Sequence, residues 1–280
     1  MRFRIPGGVL AVVALVLGAQ VTATASAPPA GPAVAVVPPM THVTLNATQP
    51  WSTCTARAWA SRPGGYRLYN DQLAGTPGKD CISTTGYNLT ITTSAKPQDA
   101  RVVFAPAEQY GEYYNIRDAA SGLPLPVSWI RSHYLTNRYS CTGHAAGVWT
   151  CDATDAWFST TQAAADLHGT YELVIVTRSS PARCRQVGRV VRLGRRRWRA
   201  AMWRTDGGAV GSWPLMWFCE VRQASGEQAI RIPAFLDYAV GRHWLPASAW
   251  LDSDNPMVEC WHGCHGLTVA NQVTLRRGPA

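Results

Sequence analysis

The sequence predicts an all-β fold, a sandwich or jelly roll with one short helix. Short segments rich in β-branched and aromatic residues recur along the 280 residues, and turn residues separate them. Only one stretch has helical spacing. No segment repeats at a fixed period, which argues against a propeller or solenoid.

The chain opens on a targeting pattern. Arg2 and Arg4 precede an apolar run from Val9 to Val21, and Ala23-Thr24-Ala25 supplies small residues for cleavage, so residues 1–25 read as a signal peptide. The run is too short for a comfortable span, so secretion is expected and stable membrane insertion is not. Residues 26–45 are rich in Pro, Ala and Val and read as a tether. No Pro/Gly/Ser linker interrupts the remainder, which predicts one domain over 46–280.

Within that domain, Tyr87-Asn88-Leu89-Thr90-Ile91-Thr92-Thr93 alternates polar and apolar residues as a half-buried strand does. Arg101-Val102-Val103-Phe104 reads as a short strand. Leu173-Val174-Ile175-Val176 is almost continuously apolar, as in a strand covered on both faces. Gly188 to Trp203 predicts a hairpin turning near Gly194-Arg195, and Leu267 to Leu275 a closing strand. Ile230 to Val240 is the helix, with Ile230, Phe235, Leu236 and Val240 roughly on one face.

Eight cysteines in a secreted chain predict disulfides. Spacing alone leaves many connectivities open. Proximity favours Cys141 with Cys151 and Cys260 with Cys264, leaving Cys54 with Cys81 and Cys184 with Cys219. Cys260, His262, Cys264 and His265 are also metal-ligand types at close spacing. In an oxidising compartment a disulfide with two loop histidines is the better account, so no metal site is expected. Ser-His-Asp chemistry lacks a G-x-S-x-G elbow.

The formal net charge is +9, densest in arginine from Arg189 to Arg204. Such a cluster suits an anionic partner, but a solvated strand pair in an arginine-biased chain explains it as well. Nothing around it resembles a nucleic-acid module, so no nucleic-acid partner is expected.

Two glutamates stand in strand-like segments, Glu172 in Tyr171-Glu172-Leu173-Val174-Ile175-Val176 and Glu259 in Glu259-Cys260-Trp261-His262. Carboxylates are costly in apolar segments unless exposed, paired or used. Residues two apart on a strand share a face, so Glu172 points with Val174 and Val176, Glu259 with Trp261, and Asp155 with Trp157. On neighbouring strands, three carboxylates and two indoles would gather in one groove. Indole faces suit the apolar faces of sugar rings. Two carboxyl groups ~5–5.5 Å apart suit retaining glycoside hydrolysis, one attacking and one donating a proton.

These segments resemble glycoside hydrolase family 12. Asp155-Ala156-Trp157-Phe158 is similar to its D-[IL]-W-[FL] strand, Glu172-Leu173-Val174-Ile175 to its E-[IL]-M-I-W nucleophile strand, and Glu259-x-Trp261-x-Gly263-x-x-Gly266-Leu267 to its E-x-W-x-G-G-x-G-L strand. Weaker echoes are Cys54, Tyr69-Asn70-Asp71-Gln72, Cys81-Ile82, Leu125-Pro126-Val127-Ser128 and Gly194 to Trp198. The resemblance covers about Trp51 to Leu275 and implies a β-jelly-roll sandwich of two antiparallel sheets with a concave substrate cleft, in a secreted, single-domain endo-β-1,4-glucanase or xyloglucanase, retaining, monomeric and without cofactor, acting on polysaccharide. It implies Glu172 as nucleophile, Glu259 as acid/base and Asp155 as partner of the nucleophile. It also implies substrate contacts from Asn70, Trp157 and Trp261. Leu73 and Val176 stand where the family has tryptophans, Val174 replaces methionine, and Cys264 replaces a glycine. The alternative is a non-catalytic glycan-binding jelly roll of the cell surface.

Overall fold

The computed structural model describes residues 42–46, 48–72, 80–85, 88–93, 104–111, 121–142, 147–161, 170–184, 188–205, 212–223, 226–262 and 265–276. All lie within one compact unit, Pro39–Ala280. The first half contributes β1 (His42–Thr44), β2 (Trp51–Thr53), β3 (Trp59–Arg62), β4 (Tyr66–Tyr69), β5 (Asp80–Thr85), β6 (Asn88–Thr93), β7 (Ala107–Gly111) and β8 (Leu125–Pro126). Then come α1 (Val127–Arg131), β9 (Tyr134–Thr142), β10 (Val148–Ser159), β11 (Tyr171–Ser179) and α2 (Pro181–Cys184). The rest is β12 (Arg189–Leu193), β13 (Arg196–Arg204), β14 (Pro214–Glu220), β15 (Gln228–Arg231), α3 (Ile232–Gly241), β16 (Trp250–Asp254), β17 (Met257–His262) and β18 (His265–Arg276).

The strands form the two sheets of a jelly roll. The larger runs β1-β3-β4-β7-β16-β10-β11-β14-β13-β12, with β17 joined to β10 and β7 and β8 to β16. The smaller runs β15-β9-β18-β6-β5-β2. Their facing sides close one core, in which Ile82, Ile91, Leu135 and Tyr139 meet Phe158, Leu173, Ile175 and Val258. Burying each such side chain contributes about 1.5–3 kcal/mol. Polar ties cross the same interior. The Tyr139 hydroxyl donates to the Met257 carbonyl at 2.9 Å, and the Asn137 amide donates to Asp254 at 2.8 Å. Burial lifts Asp254 to about 7 against the pull of hydrogen bonds from Asn137 and Thr154.

Most of the expected elements are present. The closing strand, the hairpin β12–β13 with Gly194 at φ 60°, and the helix stand where the pattern put them. Gly188 opens the hairpin where a Cβ would lie 1.9 Å from the Ala200 carbonyl oxygen, so only glycine fits. α3 begins two residues later than expected, because Ile230 and Arg231 belong to β15 and Pro233 suits the first helical turn. Phe235 from α3 then packs edge-on against Trp198 and Phe218.

Two expectations need correction. The sheets are not purely antiparallel: β1 pairs parallel with β3, and β11 parallel with β14. α2 and the β12–β13 hairpin intervene between β11 and β14, supplying the crossover a parallel pair needs. Two further helices, α1 and α2, are single turns too short to leave a period in the sequence. Of the strand expected at 101–104, only Phe104 is among the described residues, bridging Gln72 and Cys260. Strand pairing begins at His42, inside the segment 26–45.

Disulfides join Cys54–Cys81, Cys141–Cys151 and Cys184–Cys219, as the spacing favoured. Cys141–Cys151 ties β9 to β10, and so one sheet to the other. Cys260 is also disulfide-bonded, which removes it as a zinc ligand; Cys264 lies outside the described residues.

Candidate active site

The larger sheet has one face on the core and one turned away from it. Leu173, Ile175, Met216, Phe218 and Val258 belong to the core, whereas Val174, Val176, Leu215, Trp217 and Cys219 form a separate cluster on the outer, concave face. Glu172 shares that face with Val174, as strand alternation requires.

β10 is the strand that assembles the site. It pairs with β11 on one side, setting Trp157 opposite Glu172 and Asp155 opposite Val174. On the other side it pairs with β17, setting Thr150 opposite Glu259. Glu172, Asp155 and Glu259 therefore stand on three adjoining strands and one face. The grouping expected from the sequence is present.

A fourth carboxylate joins them. Asp152 and Asp155 are three residues apart and would face oppositely on a regular strand. Register shifts between Cys151 and Thr154 insert a bulge, and the bulge turns both aspartates to the concave face. The Thr150 hydroxyl lies 3.1 Å from Asp152 Oδ2 and 3.3 Å from Glu259 Oε2, linking the two acids.

Asp152, Asp155 and Glu172 are buried, Glu259 is half-buried, and the four sense one another. Desolvation raises all four. The charge of Glu172 raises Asp155 further, and that of Glu259 raises Asp152 further, so both aspartates sit well above the usual carboxylate range. At Glu172 the indole N–H of Trp213 opposes burial by donating to Oε2 at 2.5 Å. Repulsion from Glu259 pushes up, and a hydrogen bond from Asp155 pulls down. Glu259 is held back first by the Arg183 charge, then by Thr150 and Trp261. Burial prevails at Glu172, which stands at about 8 even with Trp213 and Asp155 donating to it.

The aromatic residues are placed unequally. Trp157 is buried, 5.3 Å from Trp213 between ring centroids and tilted 54°. Trp261 is half-buried, and the Arg183 guanidinium covers its ring at 3.5 Å from the centroid. Asn70 is fully buried and donates to the Thr55 carbonyl at 2.9 Å. Leu73 and Gly263 lie outside the described residues.

Four contributors escaped sequence reasoning. Asp152 was hidden by the bulge, and Thr150 had no signal beyond lying two residues before it. Trp213 comes from the mouth of β14, whose parallel register sets Leu215 opposite Glu172 across 43 residues of sequence. Arg183 sits on α2, which Cys184–Cys219 anchors to β14.

The fold and the site together define a jelly roll with a carboxyl-lined concave face. Similar solved structures carry the same architecture. A metagenome-derived glycoside hydrolase family 12 endoglucanase superposes with a TM-score of 0.70 at 23% identity, over 82% of this chain and 100% of that one. A family 12 xyloglucanase from Bacillus licheniformis gives 0.70 at 18%, over 81% and 100%. An endoglucanase from Rhodothermus marinus gives 0.66 at 23%, over 82% and 99%. No family model and no curated protein matches the sequence. What the chain shares with these enzymes at such identity is the fold.

Proposed function

We propose that this chain is a divergent family 12 glycoside hydrolase: a secreted, monomeric, retaining endo-β-glycosidase for β-1,4-linked glucan, xyloglucan or a related polysaccharide. Residues 1–25 direct secretion and 26–45 tether the domain. The observation that carries the reading is Glu172 and Glu259 on one concave face, with Asp155 bonded to the first.

In this mechanism Glu172 attacks the anomeric carbon while Glu259 gives its proton to the departing oxygen. A glycosyl ester forms at Glu172 and the downstream chain leaves. Glu259, now a base, takes a proton from water as that water attacks the same carbon from the other face, restoring both acids. Trp213 and Asp155 hold the Glu172 oxygens in place and favour its charged form against burial, so the nucleophile's position is set before substrate arrives. Trp157 borders the nucleophile as part of the sugar-facing wall. Arg183 screens one face of Trp261, so sugar would meet that indole at its edge or other face.

The test is reducing-sugar release by the mature protein across β-glucans, xyloglucan and xylan. Glu172→Gln and Glu259→Gln should each lose at least about a hundredfold in turnover, the scale of acid–base contributions, while melting as wild type does. A variant with near-wild-type turnover refutes its role. Glycan binding without release in wild type supports a non-catalytic glycan-binding jelly roll instead.

A further inference from the structure

The β12–β13 hairpin at the edge of the larger sheet distributes its arginines between two faces. Arg189 and Arg196 lie on the α3 side, where they are engaged. Arg189 donates to the Tyr238 hydroxyl at 3.0 and 2.9 Å, and Arg196 pairs with Glu220 at 3.5 Å and donates to Gln228. The register fixes the other face. Arg199 stands opposite Cys219, Ala201 opposite Trp217 and Trp203 opposite Leu215. Cys219, Trp217 and Leu215 belong to the concave cluster, so Arg199 and Trp203 share the face of Glu172. Arg197 follows by alternation, and Arg192 lies directly opposite it.

Arg192, Arg197 and Arg199 therefore form a cationic sector on the concave face. Arg192 reaches only the Gly194 carbonyl of its own turn, at 3.4 Å. Arg197 and Arg199 have no side-chain hydrogen bond or ion pair among the described residues. Glu220, the acid on β14, points to the opposite face with Arg196. Like charges directly opposite on a sheet face oppose folding, so a sector of this kind carries a cost that a counter-charge would relieve. β13 is two strands from β11, about 10 Å across the sheet, and a chain leaving Glu172 crosses Trp217 and Trp203 to reach it. Those two rings lie 5.9 Å apart, and Trp203 is 40% exposed.

We propose that Arg192, Arg197 and Arg199 form a subsite for a carboxylate-bearing β-glycan, with Trp203 as its apolar floor, so that the preferred polymer carries uronic-acid groups. This rests on the concave face being a glycan cleft. Continuity with the indoles and the carboxylate cluster favours a glycan over a nucleic acid, for which a convex basic surface would serve equally.

Binding is measured with the Glu172→Gln protein, so the result does not depend on turnover. Carboxymethylcellulose and hydroxyethylcellulose supply charged and neutral forms of one backbone. The charged polymer should bind about tenfold tighter at low ionic strength, and 0.5 M salt should erase the difference, at roughly half the screening distance of 0.1 M. Replacing Arg192, Arg197 and Arg199 together by Gln should equalise the two polymers and leave affinity for the neutral one unchanged. Replacing Arg131 on α1, Arg138 on β9 and Arg242 at the end of α3 together makes the same change in net charge away from this face and should preserve the preference. Equal affinities in the parent protein, equal effects of the two triple variants, or matching affinity for duplex DNA would each overturn the proposal. Failure of hydrolysis in wild type would leave this binding result standing and refute the catalytic reading alone.

Discussion

The two glutamates stand in unlike surroundings. Glu172 is met by an indole N–H at 2.5 Å and by a protonated carboxyl group, both neutral donors fixed by the β10–β11 and β11–β14 pairings. Glu259 is met first by the field of Arg183, then by a hydroxyl at 3.3 Å, shared with Asp152, and by Trp261. Short fixed donors suit a group that keeps its charge and its position, as a nucleophile must. A longer shared hydroxyl and a nearby cation suit a group that gains and loses a proton within one cycle. Each glutamate has its own aspartate, Asp155 or Asp152, lifted chiefly by burial and then by that glutamate's charge. The division of labour is written in the neighbours.

Changing those neighbours one at a time sharpens the contrast. Trp213→Phe has the larger expected effect. Losing a hydrogen bond to a charged group costs about 1.5–3 kcal/mol, so kcat/KM should fall roughly tenfold or more. Trp213 lowers the Glu172 pKa, so its removal raises it, and the acidic limb of the activity profile should move to higher pH. An unmoved acidic limb would mean that the indole does not serve the nucleophile. Arg183→Gln should do less, and at the other end of the profile. Arg183 lowers the Glu259 pKa, so without it the acid stays protonated longer and the alkaline limb should move upward. An upward move of the acidic limb instead, with the alkaline limb unmoved, would reverse the roles given to the two glutamates.

The parts legible in the sequence depend on local regularity. Strand alternation put Glu172, Asp155 and Glu259 on predictable faces, and β10 then paired with both of the other strands. Cysteine proximity and glycine at the hairpin turn were also local signals. What escaped depends on departures from regularity or on distant pairing. A bulge reversed the parity of Asp152, and a parallel register brought Trp213 to Glu172. The arginine run was visible as charge, but only the register of β12, β13 and β14 shows that it splits between two faces. Asn70 matched a motif, yet its amide holds the Thr55 carbonyl.

The central claim is that Glu172 attacks the sugar while Glu259 handles the proton. It is tested most directly by incubating the protein with an activated 2-deoxy-2-fluoro-β-cellobioside, which slows breakdown of a glycosyl ester, and locating the adduct by peptide mass spectrometry. A single fluoroglycosyl label on Glu172, formed in wild type and absent from Glu172→Gln, is the predicted result. A label on Glu259 or Asp155 would contradict the account, as would turnover of the reagent by inversion with no adduct.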